Sequence, residues 1–260
     1  MQSNTLSLSQ IRGLLDPGES FRLEVHGSID STNNRAKALA LDGVSDVTVI
    51  VADRQTAGRG RMGRSFFSPP GSGLYLSVLF RPTIAPELIA QITPFAAVAA
   101  AEVIERLSGM PVGIKWVNDL QMNGKKICGI LTEAQFCASG QPDFVVLGIG
   151  INVGQREWPP ELCELAGSIE ELCGTCLSRN LLAAELLTAL TPLFHGTLPT
   201  FLPEYRARSV LLEKPVTVWQ GDGHYDGVAT AIEDDGALVV TLPGGAQRIL
   251  HAGEVSVRLR

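Results

Sequence analysis

Short apolar runs mark several segments of this chain as strands. Val47–Ala52, Leu74–Phe80 and Asp143–Ile149 are almost wholly apolar and rich in branched side chains, which is typical of strands buried on both faces. Phe21–Val25 alternates apolar and polar residues, as a half-buried strand does. The pattern therefore predicts strands along residues 21 to 149, most of them buried.

A β-hairpin is predicted around Asn123-Gly124, a dipeptide that favours the tight turns between antiparallel strands. Val112–Trp116 and Lys126–Thr132 flank this dipeptide and are its two predicted strands. Polar groups stand at the ends of this apolar hairpin, so Asp119 and Lys126 are expected to face each other across the turn.

Helical periodicity and end signals predict the helices. One helix has Pro94 at its first position after Thr93 as cap, and it closes at Gly109. The segment before Arg35 is rich in Asp, Ser and Thr, which are natural helix caps. The predicted helices are Leu8–Leu15, Arg35–Leu41, Pro94–Leu107, Asn180–Phe194 and Phe201–Ser209.

The pattern of apolar and polar residues changes after Lys214-Pro215. Short alternating segments follow one another, separated by turn sequences such as Asp-Asp-Gly and Pro-Gly-Gly. This pattern predicts a small β-barrel and a domain boundary near Glu213, so that residues 1–212 and 213–260 form two domains. The predicted strands are Val216–Trp219, Tyr225–Ile232, Ala237–Leu242, Gln247–Leu250 and Val255–Leu259.

Composition limits the classes of function. The 260 residues are 45% hydrophobic and 18% charged, as in ordinary globular proteins, and the net charge of −6 argues against general nucleic-acid or acidic-membrane binding. The longest wholly apolar run, Phe95–Ala101, is far shorter than the roughly 18 residues of a membrane helix. The opening residues show no signal peptide, and we expect a cytoplasmic protein without membrane contacts.

Five cysteines, an odd number with irregular spacing, predict reduced and mostly buried thiols rather than a disulfide framework. Cys173 and Cys176 form a CxxC pair that also fits redox chemistry or zinc. Zinc would need two further ligands, and the four histidines offer no such cluster.

Residues 55–64 carry the most specific pattern in the chain. They contain three of its 27 glycines alternating with Arg59, Arg61 and Arg64. Glycine permits close backbone approach to a ligand, and guanidinium groups match carboxylate and phosphate oxygens. This segment, here called the Gly-Arg loop, is predicted to close over an anion.

The Gly-Arg loop has two other interpretations. Gly58, Gly60 and Gly63 have the spacing of a dinucleotide-binding motif, but that motif needs a helix at its third glycine. Here Ser65 and two phenylalanines lead into Pro69-Pro70, which cannot begin a helix, so we reject this interpretation. A solvated surface loop remains an alternative, although glycine alternation gives such a loop no advantage.

Two polar segments have both a structural and a functional interpretation. Asp30–Asn34 can simply cap a helix, or it can present hydroxyl and amide groups to a ligand. In the second segment, Lys115–Asp119, the last residue Asp119 can form a surface ion pair with Lys126 worth under about 1 kcal/mol. Alternatively, Lys126 is held near a reacting carboxylate and phosphate, with an acidic residue that fixes the lysine or binds Mg²⁺.

The ordered set of motifs resembles the biotin–protein ligases (biotin–[acetyl-CoA-carboxylase] ligase, holocarboxylase synthetase), over residues 26 to 152 and with a matching final barrel. The resemblance implies an α+β fold, with a mixed β-sheet flanked by helices in a class II synthetase-like catalytic domain, followed by a small SH3-like β-barrel. The motifs are Ser31–Asn33, Gln55–Arg61, Lys115–Asp119, Gly124–Ile130 and Gly148–Asn152.

The resemblance also implies the chemistry. Members of the family join biotin to ATP, form biotinyl-5′-AMP and pyrophosphate, and pass biotin to a lysine of a biotin carboxyl carrier domain in acetyl-CoA carboxylase or a related carboxylase. By resemblance, Lys126, Arg61 and Arg59 are the catalytic residues. The biotin-binding positions are Ser31, Thr32, Asn33, Gln55, Arg59, Gly60, Arg61, Lys126, Gly129 and Gly150.

The nucleotide would lie beside a second set of residues. Asp119 is also the candidate ligand for Mg²⁺, and no other metal ligand is implied. Phe66 stands where many members have Trp, so an aromatic surface for the adenine is kept. The ATP-binding positions implied by the resemblance are Arg59, Arg64, Phe66, Asn118, Asp119, Lys126 and Asn152.

Some members of the family also repress transcription through an N-terminal winged-helix domain. Here the first motif begins at residue 31, after a segment with only Arg12 and Arg22 as basic residues. We therefore expect a monofunctional ligase without nucleic-acid partners. A homodimer is possible by resemblance, and a lipoate or octanoate ligase or transferase of the related fold is the alternative function.

Overall fold

The computed structural model describes residues 4–19, 21–221, 223–251 and 255–259. The helices are α1 Leu8–Leu14, α2 Thr32–Leu41, α3 Ile92–Ser108, α4 Ile169–Cys173, α5 Arg179–Phe194 and α6 Leu202–Ala207. A larger sheet contains β1 Arg22–His26, β2 Thr48–Ala52, β3 Gly73–Phe80, β4 Gly113–Lys115, β5 Asp119–Met122, β6 Lys125–Phe136 and β7 Pro142–Asn152. A smaller sheet contains β8 Pro215–Gln220, β9 Gly223–Ile232, β10 Leu238–Thr241, β11 Gln247–Leu250 and β12 Val255–Leu259.

The larger sheet is mixed. Its seven strands have the order β1-β2-β3-β7-β6-β5-β4. Strand β1 runs parallel to β2, and the remaining neighbouring pairs are antiparallel. A parallel pair needs a crossover connection, and α2 supplies it between β1 and β2.

Helices cover both faces of this sheet. Side chains alternate along β2, so Ile50 points to one face while Val49 and Val51 point to the other. Ile50 packs with Ala36 and Leu39 of α2. The opposite face packs against α3 and α5, with α1 lying on α5. Neither face of these buried strands is exposed to solvent, so they have apolar residues at nearly every position.

The segment Pro86–Ser108, which ends in α3, is long and apolar enough to cross a membrane by its length and composition alone. However, 67% of its most apolar window is buried inside the protein. Residues 96 to 101 of α3, all alanine except Val98, lie in the apolar core and are almost inaccessible to solvent. The segment therefore fills the core of the protein, which explains its apolar composition.

The predicted hairpin of Val112–Trp116 with Lys126–Thr132 is wrong. Strand β5 lies between β4 and β6, and Asn123-Gly124 joins β5 to β6. The turn itself follows the prediction, because Asn123 has φ 50° and Gly124 has φ 77°. The four-residue strand β5 was missed because it is so short, although the buried residues Leu120 and Met122 alternate as a strand requires.

Two helices begin two or more residues earlier than predicted. Helix α2 starts at Thr32 rather than Arg35, so the polar residues before Arg35 form its first turn. Helix α3 starts at Ile92 rather than Pro94, and Gln91 rather than Thr93 is its cap residue. The Thr93 hydroxyl instead donates to Thr132 Oγ1 at 2.7 Å. The predicted C-terminal cap is present, since Gly109 has a left-handed φ of 71°.

Helix α4 was not predicted because it has only five residues. Its sequence signal was nevertheless available. Ser168 and Glu171 form a capping box in which each side chain accepts from the other residue's backbone N–H. This short helix follows the loop that runs beside the cavity described below.

The cysteine prediction is partly wrong. All five cysteines are free, but only Cys128 is buried. Burial raises the pKa of the Cys128 thiol, which keeps it protonated. Cys137, Cys163 and Cys176 are exposed because they lie in loops rather than in the apolar elements, and Cys173 is half-buried.

The expected fold class is confirmed, with a mixed sheet flanked by helices and a small antiparallel sheet after it. The smaller sheet has the order β11-β10-β9-β8-β12. Its buried residues Val216, Val218 and Leu238 belong to the same apolar core as the larger sheet. The domain boundary at residue 213 stays a prediction.

One buried hydrogen bond joins the two sheets, and its removal should destabilise the protein. Trp116 donates from Nε1 to the carbonyl of Gly236 at 2.9 Å. Trp116→Phe leaves that carbonyl unpaired in the interior, so we expect a loss of about 2 kcal/mol in the free energy of unfolding. Chemical denaturation measures the loss. Trp219→Phe, at an exposed indole, is the control and should change stability by less than about 0.5 kcal/mol. Equal losses would contradict a special role for the buried bond.

Candidate functional site

A cavity of about 640 Å³ opens over β6 and β7. The first turn of α2, the Gly-Arg loop and the β4–β5 turn surround it, and Val257 and Leu259 of β12 reach it from the smaller sheet. Every predicted site residue except Asn152 lines this cavity. Those residues are Ser31, Thr32, Asn33, Gln55, Arg59, Gly60, Arg61, Arg64, Phe66, Asn118, Asp119, Lys126, Gly129 and Gly150.

Thr32 and Gln55 form a fixed polar pair at one end of the cavity. The Gln55 side-chain oxygen accepts from the Thr32 backbone N–H at 2.8 Å and from its hydroxyl at 3.1 Å. The Gln55 amide nitrogen donates to Ser68 Oγ at 3.1 Å, which fixes the orientation of the amide. Ser31 occupies the cap position of α2 without a side-chain capping bond. Capping therefore does not account for this polar segment.

The Asn33 amide is held from both sides. Its Nδ2 donates to Glu133 Oε2 at 2.8 Å, and its oxygen accepts from the Ser77 hydroxyl at 2.6 Å. The side chain lies against Gly148, where an added Cβ would collide with the amide oxygen. Because Asn33 is almost completely buried, these contacts set its position. They show that Asn33 belongs to the cavity wall and is anchored to β6.

The Gly-Arg loop folds back on itself. Gly60 N–H donates to the Arg64 carbonyl at 2.7 Å, and Phe66 N–H donates to the Gly58 carbonyl at 2.9 Å. A single 3₁₀ turn over Arg61–Gly63 forms the tip, with Met62 at φ 57°. The two halves of the Gly-Arg loop are thus hydrogen-bonded to each other, and we call this folded unit the flap.

Two guanidinium groups attach the flap to the cavity rim. Arg59 lies 3.2 Å from Glu133 Oε1, and its Nη1 donates to Asn34 Oδ1 at 3.2 Å. Arg61 donates from Nη1 to Asn118 Oδ1 at 3.1 Å, and burial lowers the pKa of its guanidinium. The two contacts hold opposite sides of the flap, one against β6 and one against the β4–β5 turn.

Lys126 and Asp119 form an ion pair in the cavity wall. Lys126 Nζ lies 2.6 Å from Asp119 Oδ1, and the two side chains are only 32% and 26% exposed. The surface ion pair considered above therefore does form, but it lies in the cavity wall. Five basic side chains line the cavity against two acidic ones, Asp119 and Glu164, so the cavity suits an anion. The basic side chains are Arg59, Arg61, Arg64, Lys115 and Lys126.

Phe66 rests on the floor of the cavity. A Cβ added at Gly150 would lie 2.7 Å from its ring, and one at Gly129 would lie 3.1 Å from it. The ring also packs edge-on to Tyr75, whose pKa burial raises to about 12. The two glycines therefore do permit a close approach, which is made here by an aromatic side chain.

Asn152 lies behind the wall rather than on it. Its amide nitrogen donates to the carbonyl of Gly167 at 3.1 Å and to that of Lys126 at 3.4 Å. Its oxygen accepts from Arg156 at 3.2 Å. Asn152 was predicted to contact the nucleotide directly, but its hydrogen bonds instead connect the backbone at Lys126 to the loop before α4.

Several residues of the site were not found from the sequence. Glu133, Ser77 and Gly148 position Asn33, and Arg156 supports Asn152. Gly148 stood within a recognised motif, but Glu133 lay just beyond the predicted strand Lys126–Thr132 and carried no signal of its own. Contacts between residues 100 positions apart leave no local pattern.

Within the described ranges, no group of three or more His, Cys, Asp or Glu side chains is placed to hold a metal ion. The carboxylates that line the cavity are Asp119 and Glu164.

The comparisons with known proteins agree with this architecture. Residues 25–152 match the Biotin/lipoate A/B protein ligase family, and residues 211–258 match the Biotin protein ligase C terminal domain. A relative from Bacillus subtilis, named Bifunctional ligase/repressor BirA, is 34% identical over 95% of this chain and 78% of its own length. The chain belongs to the biotin protein ligase family. A second ligase of the family, the Biotin--[acetyl-CoA-carboxylase] ligase of Mycobacterium tuberculosis, is 34% identical over 95% of this chain and 93% of its own.

Solved structures of biotin protein ligases share the fold. The Aquifex aeolicus biotin protein ligase, solved in complex with biotin and ATP, superposes with a TM-score of 0.74 at 29% identity. The match covers 92% of this chain and 99% of that one. A ligase from Leishmania major, at 21% identity and a TM-score of 0.63, supports the fold alone.

The packing of Asn33 on Gly148 can be tested directly. Gly148→Ala would force the buried Asn33 amide to move, so we expect a loss of about 1–3 kcal/mol in the free energy of unfolding. Gly27→Ala is the matched control, because a Cβ there has no neighbour within 4 Å. Urea unfolding of both variants checks the prediction. A Gly148→Ala variant as stable as the Gly27→Ala variant would mean that the amide is not confined.

Proposed function

We propose that this chain is an ATP-dependent biotin–protein ligase. It joins biotin to ATP, forming biotinyl-5′-AMP and pyrophosphate, and then transfers biotin to a lysine of a biotin carboxyl carrier protein. The main support for the proposal is that one cavity is lined both by the fixed polar pair of Thr32 with Gln55 and by the cationic side chain of Lys126. Membership of the biotin protein ligase family supports the same reaction.

The polar end is where the ureido ring of biotin would bind. A ureido group buried in a cavity needs partners for its two N–H groups and its carbonyl, because unpaired buried polar groups are costly. Ser31, Thr32 and Gln55 supply hydroxyl and amide groups there, and Asn33 holds the wall behind them. Gly129 and Gly150 would let the flat bicycle and the phosphate approach the sheet closely once the Phe66 ring, which lies against both glycines here, moves aside.

Lys126 would bring the two reacting anions together. The biotin carboxylate oxygen attacks the α-phosphorus of ATP, the new P–O bond forms, and the bond to the β-phosphate bridging oxygen breaks to release pyrophosphate. Carboxylate and phosphate repel each other, and the ammonium group offsets that repulsion as charge gathers on the phosphorus oxygens. Arg59 and Arg61 would add two further cations from the flap.

The flap would then retain the product of this first step. Biotinyl-5′-AMP is a mixed anhydride that water hydrolyses, so a cover over it protects the intermediate. In the second step the ε-amine of the acceptor lysine attacks the carbonyl carbon, an amide forms, and AMP leaves. Arg61, which donates to Asn118 at the cavity rim, would contact the adenylate phosphate.

The nucleotide would lie along Arg64, Phe66, Asn118 and Asp119. Phe66 offers an aromatic face for the adenine. Mg²⁺ would be held by Asp119, whose Oδ1 is already paired with Lys126, together with substrate phosphates and waters. When bound, the ion would neutralise phosphate charge beside Asp119. Asn152 would act from behind the wall, through its bond to the Lys126 carbonyl.

The acceptor is proposed to be the biotin carboxyl carrier domain of acetyl-CoA carboxylase, by analogy with relatives named for that substrate. We also place the reaction in the cytoplasm. Relatives such as the Bacillus subtilis protein combine ligase and repressor functions. That this chain acts only as a ligase, without DNA, stays a prediction, as does a homodimer.

The decisive experiment is to incubate the protein with MgATP and either biotin or lipoate. We expect biotinyl-AMP by mass spectrometry, and pyrophosphate exchange into ATP that depends on biotin. Exchange with lipoate but not with biotin would overturn the proposal and favour a lipoate ligase of the same family.

Replacing Lys126 should separate catalysis from folding. We expect Lys126→Ala to slow adenylate formation by about 100-fold or more, because a cation aimed at developing charge is lost. Single-turnover kinetics measure this rate, and thermal unfolding confirms that the fold is intact. Lys125→Ala is the matched control, since Lys125 Nζ donates to the Cys163 carbonyl instead of lying in the cavity. Unchanged kinetics in Lys126→Ala would show that the lysine is misassigned.

A further inference from the structure

Glu133 on β6 is a charged residue that the reaction scheme above does not use. It lies behind the cavity wall, with its side chain 20% exposed, and it is absent from the cavity lining. Its two oxygens have different partners. Oε2 accepts from the Asn33 amide at 2.8 Å, while Oε1 lies 2.6 Å from Lys37 Nζ and 3.2 Å from Arg59.

These contacts join β6, which carries Glu133, to two other parts of the site. Asn33 is in the first turn of α2 beside the polar end of the cavity, and Arg59 is in the Gly-Arg loop. Glu133 therefore connects the wall of one end of the cavity to the flap that covers it. Burial alone would raise the pKa of Glu133, but the hydrogen bonds from Asn33 and Lys37 and the charges of Lys37 and Arg59 outweigh it and lower that pKa.

We propose that Glu133 is the positioning residue that latches the Gly-Arg loop closed and couples this latch to the Asn33 amide. The proposal rests on the function proposed above, because the latch matters for retention of the biotinyl-adenylate. Glu133 touches neither substrate, so it acts through Arg59 and Asn33. Its effect should appear in the lifetime of the bound intermediate more than in the rate of its formation.

The carboxylate is required because both of its oxygens must accept hydrogen bonds. In Glu133→Gln the side-chain amide keeps its shape but turns one acceptor into a donor. If the NH₂ group faces Asn33, two donors oppose each other. If it faces Lys37 and Arg59, it opposes two cations. Either orientation weakens one half of the connection without creating a cavity.

The first test uses the protein without substrates. Trypsin cleaves after the loop arginines, and a latched loop resists cleavage. We expect Glu133→Gln to be cut at Arg61 and Arg64 about three to five times faster than the unmodified protein, which matches the modest strength of a partly exposed ion pair. Lys37→Met is the matched control. It removes the other cation on the same oxygen but leaves Arg59 in place, and its loop should be cut at the unmodified rate.

The second test measures loss of biotinyl-AMP from the preformed complex. Release should be about three to five times faster in Glu133→Gln. Arg59→Met also removes a cation from the cavity, so its release should be at least as fast, and the double variant should be no faster than Arg59→Met alone. Higher ionic strength should speed release more from the unmodified protein than from Glu133→Gln, because salt screens the Glu133–Arg59 pair in addition to the contacts of the adenylate. A merely structural glutamate would not produce these two patterns.

The outcomes separate the two proposals. If the unmodified protein makes no biotinyl-AMP, the proposed function fails, and the cleavage experiment still tests the latch. If Glu133→Gln is cut and releases adenylate at unmodified rates, the latch is overturned while the function stands. Additive effects of Glu133→Gln and Arg59→Met would also overturn it, because independent residues do not form a latch. The Arg59→Met arm keeps the test valid should Glu133→Gln fold poorly.

Discussion

The Lys126–Asp119 ion pair organises the site, and it exists because β5 and β6 are joined by a two-residue turn. Asn123 and Gly124 adopt the positive φ angles that this turn demands. Strand β6 then returns beside β5, and Lys126 Nζ comes within 2.6 Å of Asp119. The protein as a whole carries a charge of −6, so a cationic cavity has to be assembled locally. Asp119 keeps one ammonium group on the cavity wall instead of leaving it free in solvent.

Glycine determines how close a ligand can come to that ammonium group. Gly129 of β6 and Gly150 of β7 are register partners in adjacent strands, so two missing side chains leave one depression in the sheet. Glycine weakens a strand because it adds no packing and loses more backbone entropy on folding. Here the long antiparallel pairing of β6 with β7 and β7 with β3 supports the weakened region. The shape of the cavity therefore depends on strands that extend well beyond it.

Local patterns predicted those parts of the structure that local physics decides. The apolar runs at β2 and β3, the cap at Gly109 and the turn at Asn123-Gly124 depend on neighbouring residues, and each was predicted correctly. Strand β5 was missed because four residues carry too short a pattern to stand out.

The missed parts of the site depend on residues that are distant in sequence. Glu133 meets Asn33 only because α2 packs on β3 and β7 and β6 lies next to β7, and no periodicity connects the two residues. Family resemblance found the residues that face the cavity. The exception is Asn152, which lies outside the cavity lining, because its motif position gives no information on which way the side chain points; its role towards the nucleotide stays a prediction.

The strengths of the loop contacts follow from what the loop has to do. A flap held by fully buried ion pairs would be costly to open, since removing one partner of such a pair costs several kcal/mol. Arg59 is partly exposed, and partly exposed pairs contribute about 1 kcal/mol or less. Two weak anchors on opposite sides, Arg59 with Glu133 and Arg61 with Asn118, can hold the flap while a charged ligand adds its own attraction. A bound anion between the guanidiniums would then shift the flap towards closure, and its departure would leave only contacts that thermal motion can break.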